Sequence, residues 1–162
     1  MLYLHRHAKS SWDYSELSDF DRPLNSRGLR DAPKMGERLK ARGEKISLIV
    51  SSPAVRALST ARLVAKAIDY PEADIREERK LYLPRTRTIL EVIQGLDDVH
   101  PNAMLFGHNP GFTEAVGFLS AHRLDNLPTA GQVCISFPVD HWSEVQPQSG
   151  TLKFIDYPKR IG

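Results

Sequence analysis

Short apolar runs that pass directly into helical repeats constrain this chain more than any other feature of it. ISLIV, Ile46 to Val50, leads straight into SSPAVRALSTARLVAKAI, and AMLFGH, Ala103 to His108, leads into NPGFTEAVGFLSA. A continuous apolar run of this length suits a strand covered on both faces, where no side is left to alternate with polar residues. Strands alternating with helices on this pattern predict an α/β fold of three layers, α/β/α, with a mostly parallel central sheet. LYL opens a further strand at the start of the chain, and QVCISFPV and TLKFIDY supply two more near its end. A weaker strand is expected within IREERKLYL, and a short amphipathic helix in RTILEVIQGL.

Cap residues set the expected helix boundaries. In SRGLRDAPKMGERLKARG, Leu29, Ala32, Met35 and Leu39 recur at helical spacing, with Ser26 as N-cap, Gly43 as stop, and Pro33 inside to bend the helix or remove one hydrogen bond. Ser52 and Pro53 are read as cap and first residue of the second helix, whose buried stripe is Leu58, Ala61, Leu63, Val64 and Ile68. Asn109 and Pro110 repeat that punctuation later in the chain.

The 162 residues fit one domain, residues 1–162, large enough to bury a core around a sheet. A net charge of +2 is too small to attract nucleic acid through its overall field, although Arg outnumbers Lys. The lone Cys134 lies in an apolar run and is read as a buried strand residue, so nothing requires an oxidising compartment. With neither a leader-like segment nor an apolar run long enough to span a bilayer, a cytoplasmic monomer that avoids membranes is expected.

The chemistry concentrates where strands end. The first strand ends at Arg6 and His7, the second at Ser51 and Ser52 with Arg56 one turn into the next helix, and the third long apolar run at Gly107 and His108. Ligands of open α/β sheets bind outside the carboxyl ends of the strands, so these ends are expected to share one crevice. Two of them lead into helix N-termini, which favour anions, and Arg is a planar donor fork matched to phosphate oxygens. A phosphoryl group is the best-matched ligand. Arg22, in SDFDRPLNSRG, is read either as folding back over the crevice, oriented by Asp19 and Asp21, or as a solvated loop charge, and Lys9 either as positive potential at the mouth or as plain surface. Alternation points His5 away from Arg6, into a structural role. His100, His122 and His141 fall in polar connections and are read as solvated. The HRH triplet resembles a metal-binding pair, but flanking Arg residues would repel a divalent cation, and neither metal nor cofactor is expected.

LHRHA after an N-terminal strand, DRPLNSRG, SSPAVRALSTA and FGHNP together resemble the histidine phosphatase superfamily, with its phosphoglycerate mutase-like fold, in order from Leu2 to about Leu119. The short length and the DRPLN segment look like the SixA-type phosphohistidine phosphatases, and the family's usual RHG is RHA here, with Ala8 in place of Gly. The resemblance implies that the last two strands flank the parallel core with at least one antiparallel. It implies that His7, neutral, attacks phosphorus in line and is phosphorylated, and that water then hydrolyses the phosphoenzyme. Arg6, Arg22, Arg56 and His108 match the residues that hold the phosphoryl oxygens, making His7, His108, Arg6 and Arg56 the catalytic set. Many members carry a carboxylic acid for the leaving group. Here Glu77, Glu78 and Tyr82 are the candidates, with Glu78 put forward, and none is a clear match. The segment from Arg79 to His100 leaves room for one short helix rather than a lid. Lacking a lid and a clear acid, the chain is expected to act on phosphohistidine of a partner protein, such as a phosphorelay or phosphotransfer domain. The alternatives are a phosphatase of small phosphate esters and a phosphate-binding module without turnover.

Overall fold

In the computed structural model, which describes residues 1–160, apolar strands and amphipathic helices alternate as β1 (Leu2–Arg6), α1 (Ser26–Ala41), β2 (Leu48–Ser51), α2 (Val55–Ala67), β3 (Arg76–Glu77), α3 (Thr86–Gln94), β4 (Ala103–Gly107), α4 (Gly111–Ser120), β5 (Gln132–Ser136) and β6 (Thr151–Asp156). The six strands form one sheet in the order β3-β2-β4-β1-β5-β6. β1, β2, β3 and β4 pair in parallel, whereas β5 runs antiparallel to both β1 and β6. The mixed α/β, mostly parallel architecture expected from the sequence is present, with the last two strands on one flank.

Period-two alternation divides the strand residues between two apolar layers. Leu2, Leu4, Leu48, Val50, Ala103 and Leu105 face α3 and α4 through Ile89, Ile93, Phe112 and Val116. Tyr3, Ile49, Met104, Phe106 and the buried Cys134 face the other way, against Leu39 of α1 and Ala61, Val64 and Ala65 of α2. His5 belongs to this second side: it is fully buried, its ring 4.7 Å from that of Phe106, as alternation predicts.

Four local expectations need correction. Asn25, not Ser26, caps α1, its side chain accepting the Gly28 N–H, which satisfies one of the helix's unpaired donors. The buried face of α1 is Gly28, Ala32, Met35, Gly36 and Leu39, and Leu29, one residue round from that stripe, is 54% exposed. α2 begins at Val55 rather than at Pro53, and its buried residues are Arg56, Ala57, Thr60, Ala61, Val64 and Ala65, with Leu58, Leu63 and Ile68 half-buried at the margins. The strand foreseen in IREERKLYL is two residues long, Arg76–Glu77, because a 3₁₀ turn at Arg79–Leu81 takes over. Pro33 sits inside an uninterrupted α1, and Gly43 adopts φ +77° just past its end, a left-handed conformation that glycine takes without strain. Among the described residues, no helix is long and apolar enough to cross a membrane.

Candidate active site

Strand register assembles the centre. Arg6 pairs with Gly107 across β1 and β4, and Ser51 with Phe106 across β2 and β4. The residues that follow, His7, Ser52 and His108, therefore meet at the carboxyl edge of three adjacent strands, and the two imidazole rings lie 5.3 Å apart. A side chain at Gly107 would come within 2.5 Å of the Phe112 ring, so glycine lets α4 close against the strand end that carries His108.

His7 is 7% exposed, and its Nδ1 lies 2.7 Å from the Ala8 carbonyl oxygen. A carbonyl only accepts, so Nδ1 carries the proton and Nε2 keeps its lone pair. Burial lowers the His7 pKa to about 3, and the charges of Arg56, Arg6 and Arg22 push the same way, outweighing the upward pull of the Ala8 hydrogen bond. The ring is neutral at pH 7, the form a nitrogen nucleophile requires. Ala8, where the resembling family carries Gly, is fully buried beside Leu24, Ala32 and Met35 and has no positive φ, so its methyl group is accommodated without backbone strain. Its N–H donates to Thr60 Oγ1, and the Thr60 hydroxyl donates to the Arg56 carbonyl, which ties the loop that carries His7 to the first turn of α2.

His108 is held from the opposite side. Its Nε2 lies 2.8 Å from Ser52 Oγ; that oxygen accepts the Ala54 N–H and has its own hydroxyl proton to donate to Nε2, which puts the proton of the neutral ring on Nδ1, an atom with no partner. Burial, followed by the charges of His7 and Arg56, lowers its pKa to about 3 as well. Ser52, expected to cap a helix, thus serves chiefly to orient an imidazole.

The three arginines converge on the same cavity, about 260 Å³ in volume, whose walls include Arg6, His7, Lys9, Arg22, Arg56 and His108. Arg6 donates to the Leu127 carbonyl at 2.9 Å and leaves its Nε unpartnered. Arg22, buried although it lies in a long loop, donates to Ser10 Oγ at 2.7 Å and to the Ser11 carbonyl. Arg56 is nearly inaccessible in α2.

Asp19 connects these cations. Its carboxylate accepts from Arg22 Nε and Nη2 at 3.2 Å, from Arg56 Nη2 at 2.9 Å and from the Tyr82 hydroxyl at 2.6 Å, while Arg56 Nη1 donates to its backbone carbonyl. Burial alone would push the Asp19 carboxyl up, but the Tyr82 and Arg56 hydrogen bonds and the Arg56 charge more than offset this and hold it at about 2. Asp21, its companion in the sequence reading, instead accepts the Ser18 hydroxyl and is exposed. The three-residue offset between Asp19 and Arg22 was visible in the sequence; the bridge to Arg56 was not.

The proposed acid Glu78 is not brought into the cavity. Its carboxylate accepts the Lys80 N–H and caps the 3₁₀ turn, and Glu77 lies exposed in β3. Of the three acid candidates Tyr82 alone reaches the site, its ring edge-on to His108 with centroids 5.3 Å apart. Ser10, Trp12, Leu83, Asn109 and Thr129 also line the cavity and carried no sequence signal for doing so. From the segment Arg79 to His100 only the neighbours Tyr82 and Leu83 approach the cavity, Leu83 lining it, since α3 packs into the core through Ile89, Leu90, Val92 and Ile93. A larger open groove of about 570 Å³ runs beside α4 and shares Asn109 with this cavity, but carries none of the His or Arg residues above.

Known proteins share this arrangement of strands. The model of the histidine phosphatase superfamily, branch 1, matches residues 2–81. An uncharacterised chloroplastic protein of Arabidopsis thaliana is 31% identical over 162 aligned residues, covering 92% of this chain and 72% of that protein. Among solved structures, the protein histidine phosphatase SixA in complex with tungstate superposes with a TM-score of 0.82 at 20% identity, covering 97% of this chain and 96% of SixA. A SixA assignment from Agrobacterium tumefaciens gives 0.82 at 26% identity, covering 97% of each chain. A mycobacterial glucosyl-3-phosphoglycerate phosphatase is more distant, with a TM-score of 0.68 at 14% identity over 94% of this chain and 96% of that one. Family match and fold agree with the strand-end cluster of His and Arg: the chain belongs to the histidine phosphatase superfamily.

Proposed function

We propose that the protein hydrolyses phosphohistidine on a partner protein through a phospho-His7 intermediate. The observation that carries this reading is the hydrogen bond from His7 Nδ1 to the Ala8 carbonyl, which leaves a neutral Nε2 lone pair among three guanidinium groups. Nε2 forms a bond to phosphorus as the P–N bond of the substrate breaks. The released electron pair stays on the substrate imidazole, which takes a proton from solvent. Water then attacks phosphorus in line, the P–Nε2 bond breaks and returns its pair to His7, and phosphate leaves with the water's proton passed to solvent.

Arg6, Arg22, Arg56 and the unpartnered Nδ1 of His108 supply donors to the non-bridging oxygens. Fixed donors of this kind meet charge as it develops without having to reorient, and each is worth about 3 kcal/mol of barrier. The substrate preference rests on the leaving group. Among the described residues Asp19 is the only carboxylate lining the cavity, and with a pKa of about 2 it has no proton to give near neutral pH. An alkoxide needs a proton from the enzyme, whereas an imidazole nitrogen is readily protonated by solvent. The tungstate bound in the SixA structure, a tetrahedral oxyanion, is consistent with a phosphoryl group in this fold.

Single-turnover reaction with a radiolabelled phosphohistidine protein, beside an aryl phosphate, tests the proposal. Wild type is expected to trap an acid-labile, alkali-stable label, and His7→Ala to trap none and lose on the order of 10⁴-fold or more in rate, as removal of a nucleophile does. Phosphate binding without label or turnover in wild type would overturn it in favour of a binding module. Turnover of alkyl phosphate esters in preference to phosphohistidine would overturn the substrate.

A further inference from the structure

The phosphoryl cavity is polar on nearly every side, with two exceptions. Among the described residues, Trp12 and Leu83 are its only large apolar wall residues, and both are displayed to solvent, 74% and 53% exposed. They come from segments far apart in sequence and are held by the catalytic groups themselves. The Arg22 guanidinium lies 3.6 Å from the centroid of the Trp12 ring, and Leu83 follows Tyr82, whose ring abuts His108. Leu83 also adopts φ +46°, a left-handed conformation that costs a non-glycine residue roughly 1 kcal/mol or more. An apolar side chain is thus kept exposed at the mouth on a strained backbone, where turn chemistry alone would favour Gly or Asn.

We infer that Trp12 and Leu83 form an apolar rim that seats the planar ring bonded directly to the phosphoryl group of the substrate. The cationic floor fixes where phosphorus sits, so the first atoms beyond it arrive at the rim. In phosphohistidine those atoms are a flat imidazole ring one bond from phosphorus, with two faces for contact. In an alkyl ester they are the bridging oxygen, then a tetrahedral carbon and its hydroxyl-bearing neighbours, which gain little from an indole face. The rim therefore selects for leaving-group shape, separately from the arginines, which bind any phosphoryl group alike. This inference deepens the phosphohistidine reading and rests on it for the identity of the ring.

Phosphonates, which cannot be hydrolysed, separate the two questions. By calorimetry, wild type is expected to bind phenylphosphonate about tenfold more tightly than methylphosphonate. Leu83→Asn, which tolerates the positive φ, and Trp12→Ala should each bring that ratio below about threefold, and Trp12→Phe, which keeps a ring over Arg22, should preserve most of it. A wild type without preference, or variants that weaken both ligands in parallel, would overturn the rim, the latter showing that Trp12 acts only by supporting Arg22. None of these titrations requires turnover. Loss of the label on His7 would remove the proposed reaction and leave the rim standing as a selector of aromatic phosphoryl ligands.

Discussion

A single carboxylate organises the cationic centre. Asp19 accepts from two of the three cavity arginines and from Tyr82, so it fixes guanidinium groups that would otherwise repel one another and sample other rotamers. It also places a negative charge beside an incoming dianion. For binding, these two effects oppose, and for catalysis, misplacement of donors dominates, since small errors in position are costly in the transition state. Asp19→Asn is accordingly expected to lower kcat by about 10- to 100-fold with KM changed by less than about threefold. Steady-state kinetics on an aryl phosphate would show this. An unchanged kcat with a lowered KM would mean that Asp19 only competes with substrate for the arginines.

At the scale of elements, contact between helices determines where the loops of the site lie. α1 and α2 approach closely because Gly36 faces α2: a Cβ there would fall 2.6 Å from that of Ala67 and near the Val64 backbone. The N-terminus of α1 is in turn pressed against the loop that follows His7, where Gly28 leaves no room for a side chain beside the Lys9 carbonyl and Asn25 N–H donates to that same oxygen. The DRPLNSRG segment is therefore a packing signature as much as a chemical one, supplying Arg22, the buried Leu24, the Asn25 cap and the close approach at Gly28 in succession. Gly36→Ala should force α1 away from α2 and cost about 1–3 kcal/mol, as overpacking does. Urea denaturation measures that loss, and a stability equal to or above wild type would show that the interface can yield.

For the molecule as a whole, burial of imidazoles makes stability depend on pH. His5, His7 and His108 are each held near pKa 3 in the folded protein, chiefly by burial, against an unfolded value near 6.5. Between these limits the unfolded chain binds more protons, so stability is fully present above pH 6.5 and is lost progressively as pH falls toward 3. Each group contributes at most about 1.4 kcal/mol per pH unit within that window. The urea midpoint is expected to drop steeply between pH 7 and pH 5, and less so in a His7→Gln/His108→Gln double variant. A midpoint constant across that range would show the imidazoles to be charged or solvent-accessible in the folded state. His7 is kept neutral by the same burial that makes the fold acid-sensitive.

Sequence alone determined the layered α/β architecture, because apolar runs too short for helices can be buried on both faces only in a sheet flanked by helices. It also brought His7, His108, Arg6 and Arg56 to one edge, because residues at and just beyond the ends of parallel strands emerge there whatever the strand order, whereas Arg22, in a long loop, was matched by resemblance alone. The tertiary structure decided what depends on distance between separate segments. It selected Asp19 over Asp21 as the bridge, gave Ser52 to His108, left Glu78 capping a turn, and brought Trp12 and Leu83 to the walls of one cavity. Periodicity records which face of an element is buried, but loop side chains follow no period, and their partners are fixed only when strand register and helix packing bring the segments together.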